Sequence, residues 1–154
     1  AYAPKSKRSQ YDGGIRTPIM VHFPAHIKPQ RDEVNLASSI DLVPTTMALV
    51  GLPTDADLPG INLTDRAQVT ARDTLYGEIL EHDIQSMDDP KTSLMYRWVI
   101  EKKRKVIVPN PARVPDGVVE LYDLQQDPWE ESNLAQQNAA EVKRLTAKLD
   151  AWWP

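Results

Sequence analysis

The sequence predicts an α+β fold: a four-stranded antiparallel sheet with a packed C-terminal helix, preceded by a strand-plus-helix piece too small to close a core of its own. Three observations point there. Leu94, Tyr96, Trp98 and Ile100 alternate with Met95, Arg97 and Val99, the period-2 pattern of a half-buried strand. Val142, Leu145, Leu149 and Trp152 fall at helical spacing and form one apolar stripe. Thirteen prolines against six glycines cut the chain into many stiff connections and few long helices.

Taken in order, the elements divide into residues 1–70 and 71–154. Ile19 to Phe23, apolar almost throughout and bounded by Pro18 and Pro24, is expected to be a strand covered on both faces. Asp41 is placed to cap the next helix, and Pro44 falls in its first turn, where a missing N–H does no harm. Ile40, Val43, Met47 and Val50 supply that helix's stripe, and Gly51 and Pro53 stop it. In the second part, Leu75 to Leu80 and Leu94 to Ile100 read as strands. Glu101 to Lys105 makes a charged turn into a strand at Val106 to Val108, and the basic run Lys102 to Lys105 is assigned to the hairpin tip. After the Pro-, Asn- and Gly-containing loop from Pro109 to Gly117, Val118 to Leu124 forms the fourth strand. Asn138 with Glu141 resembles a capping box at the start of the last helix. Tyr122, Trp129, Trp152 and Trp153 are assigned to the core and to helix docking.

Composition narrows the function. With 154 residues, 41% hydrophobic and 26% charged, the chain can bury a real core. A net charge of −4 gives no footprint for nucleic acid. The absence of cysteine excludes disulfides and thiolate metal sites within these residues. No apolar run approaches the ~20 residues that span a bilayer.

The motifs are more specific. Lys7-Arg8-Ser9-Gln10-Tyr11-Asp12-Gly13-Gly14-Ile15-Arg16-Thr17-Pro18 places a cation ahead of a Gly-Gly pair whose backbone can approach another group closely. This segment resembles the Lys-x-x-x-Tyr-(Glu/Asp)-Gly-Gly-x-Arg-x-Pro motif of the type I sulfatases, with Asp12 where that family usually has Glu. Ser39 to Pro53 resembles the family's Ile-Asp-Leu-x-Pro-Thr helix with its Gly-Leu-Pro stop. Pro59-Gly60-Ile61-Asn62-Leu63 is similar to the stretch that follows it. Glu120 to Ala135 matches the Glu-Leu-Tyr-Asp-Leu-x-x-Asp-Pro-x-Glu-x-x-Asn-Leu signature at a dozen ordered positions. The resemblance covers nearly the whole chain but only about the last third of a sulfatase. It implies that residues 1–70 are the C-terminal edge of the catalytic α/β domain and residues 71–154 the C-terminal subdomain.

What the resemblance implies about chemistry centres on Lys7, expected to hold the sulfate group and to stabilise charge in the transition state. Lys5 and Arg8 are expected to solvate the same loop. Arg16 reads as a structural ion-pair partner, with Asp12 the candidate for its other half. His82, just past a strand, is the candidate substrate contact. His22, His26 and His82 do not cluster, and Asp55, Asp57, Asp88 and Asp89 lack the alternating pattern of a calcium loop, so no metal site is expected here. The family's formylglycine and Ca²⁺ are implied for the full-length enzyme only. The chain has neither cysteine nor a Ser-x-Pro/Ala-x-Arg motif, so the fragment alone is expected to be inactive. The implied activity is hydrolysis of sulfuric esters or sulfamates, on a sulfated small molecule or carbohydrate, in a secreted or periplasmic enzyme. Expected partners are the missing N-terminal catalytic domain or a second copy of the chain. Phosphonate monoester hydrolysis or phosphodiester hydrolysis on the same scaffold is the alternative. A non-catalytic binding or oligomerisation module is the other.

Overall fold

The computed structural model describes residues 5–153. The chain divides into two compact units, one of residues 1–16 with 76–154 and one of residues 17–75. Residues 5–16 therefore fold with the sheet, whereas the sequence grouped them with residues 17–70.

The first unit is built on four strands in the order β1 (Thr74–Leu80), β2 (Leu94–Glu101), β3 (Arg104–Pro109) and β4 (Glu120–Asp123), a meander whose sequential neighbours pair. β2 and β3 are antiparallel with Val99 opposite Val106, and β3 and β4 are antiparallel with Val106 opposite Leu121. Those three residues sit on one sheet face, and the 14-residue helix Ala139–Trp152 covers it with Leu145 and Leu149. All five are fully buried. Each such aliphatic side chain removed from water is worth about 1.5–3 kcal/mol. Charges frame this core. Glu101 of β2 binds Arg144 and Lys148, Arg104 of β3 binds Glu141 and Asp123, and Arg97 binds Asp150. Hydrogen bonds from Arg144, then Lys148, draw the Glu101 carboxyl down to about 2.

The alternation in β2 is thus read twice. Val99 faces the helix and Ile100 faces away, yet both are buried, because residues 5–16 lie on the opposite face. Tyr76 stacks on Trp152 with ring centroids 5.2 Å apart, which docks the end of the terminal helix although Trp152 itself stays 42% exposed. Trp129 is not a core residue: it is 75% exposed at the tip of a turn. The expected capping box at Asn138 does not form. Asn138 instead donates to the Leu134 carbonyl, and Glu141 is drawn to Arg104, a stronger charged partner than a backbone N–H.

The second unit is smaller and mostly loop. Its helices are Leu42–Leu49 and Arg66–Ala71. The former ends as expected at Gly51, whose φ of +72° places it in the left-handed region. The Leu52 N–H bonds the Met47 carbonyl and the Gly51 N–H bonds that of Ala48, the paired bonds of a Schellman stop. The buried face differs from the predicted stripe. Pro44 and Thr45 are buried, while Ile40, Val43 and Val50 are exposed. The reason is Asp41, which turns inward and makes no side-chain cap to this helix, contrary to expectation. It is fully buried and gripped by Arg72 through two hydrogen bonds of 2.6 and 2.8 Å. It also accepts the N–H groups of Ser38 and Ile61. Burial works to raise its pKa, but these hydrogen bonds outweigh it and hold the carboxyl below its usual range.

Two further departures belong to this unit. The helix at Arg66–Ala71 was not anticipated, although Asp65 caps it by accepting from the N–H groups of Ala67 and Gln68. The predicted strand at Ile19 to Phe23 does not form, and Met20 is 88% exposed. A strand needs a neighbour for its N–H and C=O groups, and no described segment of this unit pairs with it. His22 lies in that unpaired stretch, and His26 stacks on Phe23 across a turn with ring centroids 4.7 Å apart.

Candidate functional site

The segment carrying Lys7 is a built object. Ser6 to Tyr11 forms turns and bends that lead into a single helical turn, Asp12–Ile15. The two glycines explain its compactness. A Cβ at Gly13 would meet the Lys5 carbonyl oxygen at 2.5 Å, and one at Gly14 would meet the oxygens of Ser9 and Ser6 at 2.5 and 2.6 Å. The close approach that Gly-Gly permits is therefore backbone on backbone, folding the Lys7 loop onto its own helical turn. Lys5 and Arg8, on either side of Lys7, both adopt left-handed φ, 57° and 70°. Lys7 itself is exposed.

Beneath this loop, on the face of the sheet away from the C-terminal helix, lies a cluster of charges. Lys105 of β3 is fully buried, not at a hairpin tip. Strand alternation sends it inward beside Ile100 and Tyr122, its cross-strand partners. Its ammonium donates to Asp12 Oδ1 at 3.0 Å and meets Glu130 Oε1 at 2.7 Å. That second contact is between charges and off the hydrogen-bond direction, since Oε1 accepts no aligned hydrogen bond. The other oxygen of Glu130 accepts the backbone N–H of Asp12 at 2.5 Å. Lys5, expected to be solvated, instead donates to the Glu130 carbonyl and lies over the ring of Tyr11, 4.5 Å from its centroid. Tyr11 donates to both oxygens of Glu120 at 3.0 Å, and Tyr122 donates to the same carboxylate. Burial, then the Glu120 carboxylate, pushes both phenols well above their usual pKa, so both hydroxyls remain donors.

The turn that presents Glu130 is made by Asp127, which accepts the N–H groups of Glu131 and Ser132. Burial opposes ionisation of Asp127, but those bonds prevail and its pKa falls. Glu130 then takes φ of +57°. The expected Asp12–Arg16 pair exists at 3.9 Å, but it is the outer and longer of the two ion pairs of Asp12.

Sequence reasoning singled out Lys7 and left Glu120 and Glu130 as mere signature positions. The structure joins the two most specific motifs of the chain at one place, with Lys105 between them. For Lys105 the available signal was its alternation with Ile107; the surrounding lysines hid it. His82 stands exposed in a bend after β1, and none of the cluster's bonds involves it. Among the described residues no three His, Cys, Asp or Glu side chains gather into a group able to hold a metal ion.

Residues 4–152 match the family described as N-sulphoglucosamine sulphohydrolase, C-terminal. The chain is 27% identical over 154 residues to an N-acetylgalactosamine-6-O-sulfatase of Bacteroides thetaiotaomicron, covering 94% of this chain and 29% of that protein. It is 44% identical over 57 residues to arylsulfatase A of Homo sapiens, covering 37% of this chain and 10% of that protein. The chain spans less than a third of the length of these relatives. Among solved structures, a 2-O GAG sulfatase aligns with a TM-score of 0.54 at 22% identity, over 73% of this chain and 23% of that one. The phosphonate monoester hydrolase of Agrobacterium radiobacter aligns equally well, 0.54 at 23% identity, over 75% and 24%. Both likenesses concern the fold, the sheet with its C-terminal helix. By the match across nearly its full length, the chain belongs to the C-terminal family of the N-sulphoglucosamine sulphohydrolases.

Proposed function

We propose that this chain is the C-terminal part of a sulfatase hydrolysing sulfuric esters or sulfamates, and that Lys7 is its contribution to the sulfate site. The observation carrying this reading is the interlock of the two family motifs. A solvated basic loop needs no such frame, whereas a cation that must meet a sulfate does. A sulfuryl group in transfer spreads negative charge over its oxygens and its leaving oxygen. A fixed ammonium stabilises that charge more than it stabilises the ground state. Residues 17–70 form the edge of the catalytic α/β domain, where Ile19 to Phe23 finds its missing strand neighbour. The nucleophile and the metal ligands belong to the rest of the enzyme, so the isolated chain is inactive. His82 contacts substrate from the C-terminal subdomain. The enzyme is secreted or periplasmic, as family resemblance implies; among the described residues no helix is long and apolar enough to cross a membrane.

The test is steady-state hydrolysis of an aryl sulfate by the full-length enzyme. Lys7→Ala is expected to lower kcat/KM by about 10²–10³, the cost of one preorganised electrostatic donor. Lys7→Arg recovers only part, because a planar fork replaces a point charge. Wild-type kcat/KM in Lys7→Ala would remove Lys7 from the site. A phosphonate monoester in the same assay separates the second reading, to which the fold likeness to the Agrobacterium enzyme belongs. If it is the better substrate by kcat/KM, the sulfatase assignment yields to that one. If neither ester is turned over, a non-catalytic module is the remaining reading.

A further inference from the structure

We infer that Glu130 and Lys105 are positioning residues for Lys7: they clamp the loop of residues 5–16 onto the sheet and so fix where its ammonium points. This inference rests on the reading of Lys7 given above. The first observation is strain. Among the described residues, four non-glycine residues have left-handed φ, and three of them, Lys5, Arg8 and Glu130, meet at this loop. Such conformations persist only where the surroundings over-determine them. The surroundings here are the clamp itself. Glu130 takes the Asp12 N–H through Oε2 and the Lys5 ammonium through its carbonyl. Lys105 takes the Asp12 carboxylate. Residues on both sides of Lys7 are thereby tied to one side chain and its own backbone.

The second observation is burial. The side chains of Lys105 and Glu130 are 0% and 1% exposed. A buried ion pair is a poor source of stability, because desolvation offsets most of the attraction, and an apolar replacement is often neutral. Geometry is what this pair supplies. Glu130 is held in place by the ammonium, and its remaining oxygen is left to direct one backbone N–H of the loop. Tyr11, bonded to Glu120, fastens the same segment a second time. The Lys7 side chain emerges from a turn with little freedom left in its backbone.

The experiment uses the full-length enzyme with the double substitution Glu130→Leu and Lys105→Met, which removes both buried charges together. Its fold should be retained, with Asp12 still paired to Arg16, and amide exchange in residues 11–16 should accelerate. Its kcat should fall about 10- to 100-fold, the scale on which small misplacements cost rate. KM should stay within about twofold, the signature of a contact made only in the transition state. Glu130→Gln, which keeps an acceptor for the Asp12 N–H, should retain more of the kcat than Glu130→Leu. A double variant with wild-type kcat overturns the inference, as does unchanged exchange in 11–16. If the double variant does not fold, the single substitution Glu130→Leu, which leaves Lys105 paired with Asp12, carries the same two readouts against the wild type. Exchange does not depend on turnover. An inactive wild-type enzyme would therefore refute the sulfatase reading, while acceleration in 11–16 would still report the clamp.

Discussion

The two compact units of the chain solve the problem of burial in opposite ways. In the unit of residues 1–16 and 76–154, six aliphatic side chains from four elements pack to zero exposure, and charges line the edges or form one enclosed cluster. In residues 17–75 the only fully apolar buried side chains described are Val69 and Pro44, and the best-buried group is the Asp41 carboxylate. The first unit is held by area removed from water, a term spread over many side chains. The second hangs on a polar node, where one residue satisfies Arg72, Ser38 and Ile61 together. Polar nodes localise stability: intact they define one geometry, and broken they leave charge buried without a partner.

Breaking the node should give the largest effect. Asp41→Ala strands the Arg72 guanidinium, itself only 10% exposed, and is expected to cost about 3–5 kcal/mol. The measurement is amide exchange across residues 38–72; a loss below about 1 kcal/mol, the size of an ordinary hydrogen bond, would show that the node is incidental. Leu145→Ala tests the other unit. It should cost about 2–5 kcal/mol in a denaturant melt of the chain, the range for truncating a buried leucine. A change within error would dissolve the apolar half of the comparison.

The smallest effect concerns the charged frame. The Glu101 carboxyl is held at about 2, below its ordinary value near 4.5. Its stabilisation is therefore complete above pH 4.5 and is lost as pH falls toward 2. Thermal melts between those limits should show Tm falling less steeply in Glu101→Gln than in the wild type. Parallel slopes would mean that Arg144 and Lys148 contribute nothing measurable there.

How much of this was legible follows from the range of the forces involved. The four strands and the terminal helix were visible because period-2 and period-3.6 patterns are local and the sheet is a meander of sequential neighbours. The Gly51 stop was visible because only a residue lacking Cβ adopts φ of +72° cheaply. Strand Ile19 to Phe23 failed because apolar sequence states a preference for burial, whereas a strand is a relation between two segments. The stripe on Leu42–Leu49 failed because a buried ion pair outweighed hydrophobic spacing in choosing the inward face.

Local pattern was enough for the fold class, the order of the four strands with the terminal helix, and the position of Lys7 within a motif that resembles a sulfate-holding segment. Each depends on residues within a few places of one another. Packing in three dimensions is what buries Lys105 and brings Glu130 to Asp12, 118 positions away. It alone made Lys5 a ligand of the Glu130 carbonyl, 125 positions away. Electrostatic partners are chosen by distance in space, and in a low-dielectric interior a charge takes whichever partner the packing brings within reach. Nothing in the local pattern of a lysine-rich run distinguishes the one lysine that a strand will turn inward.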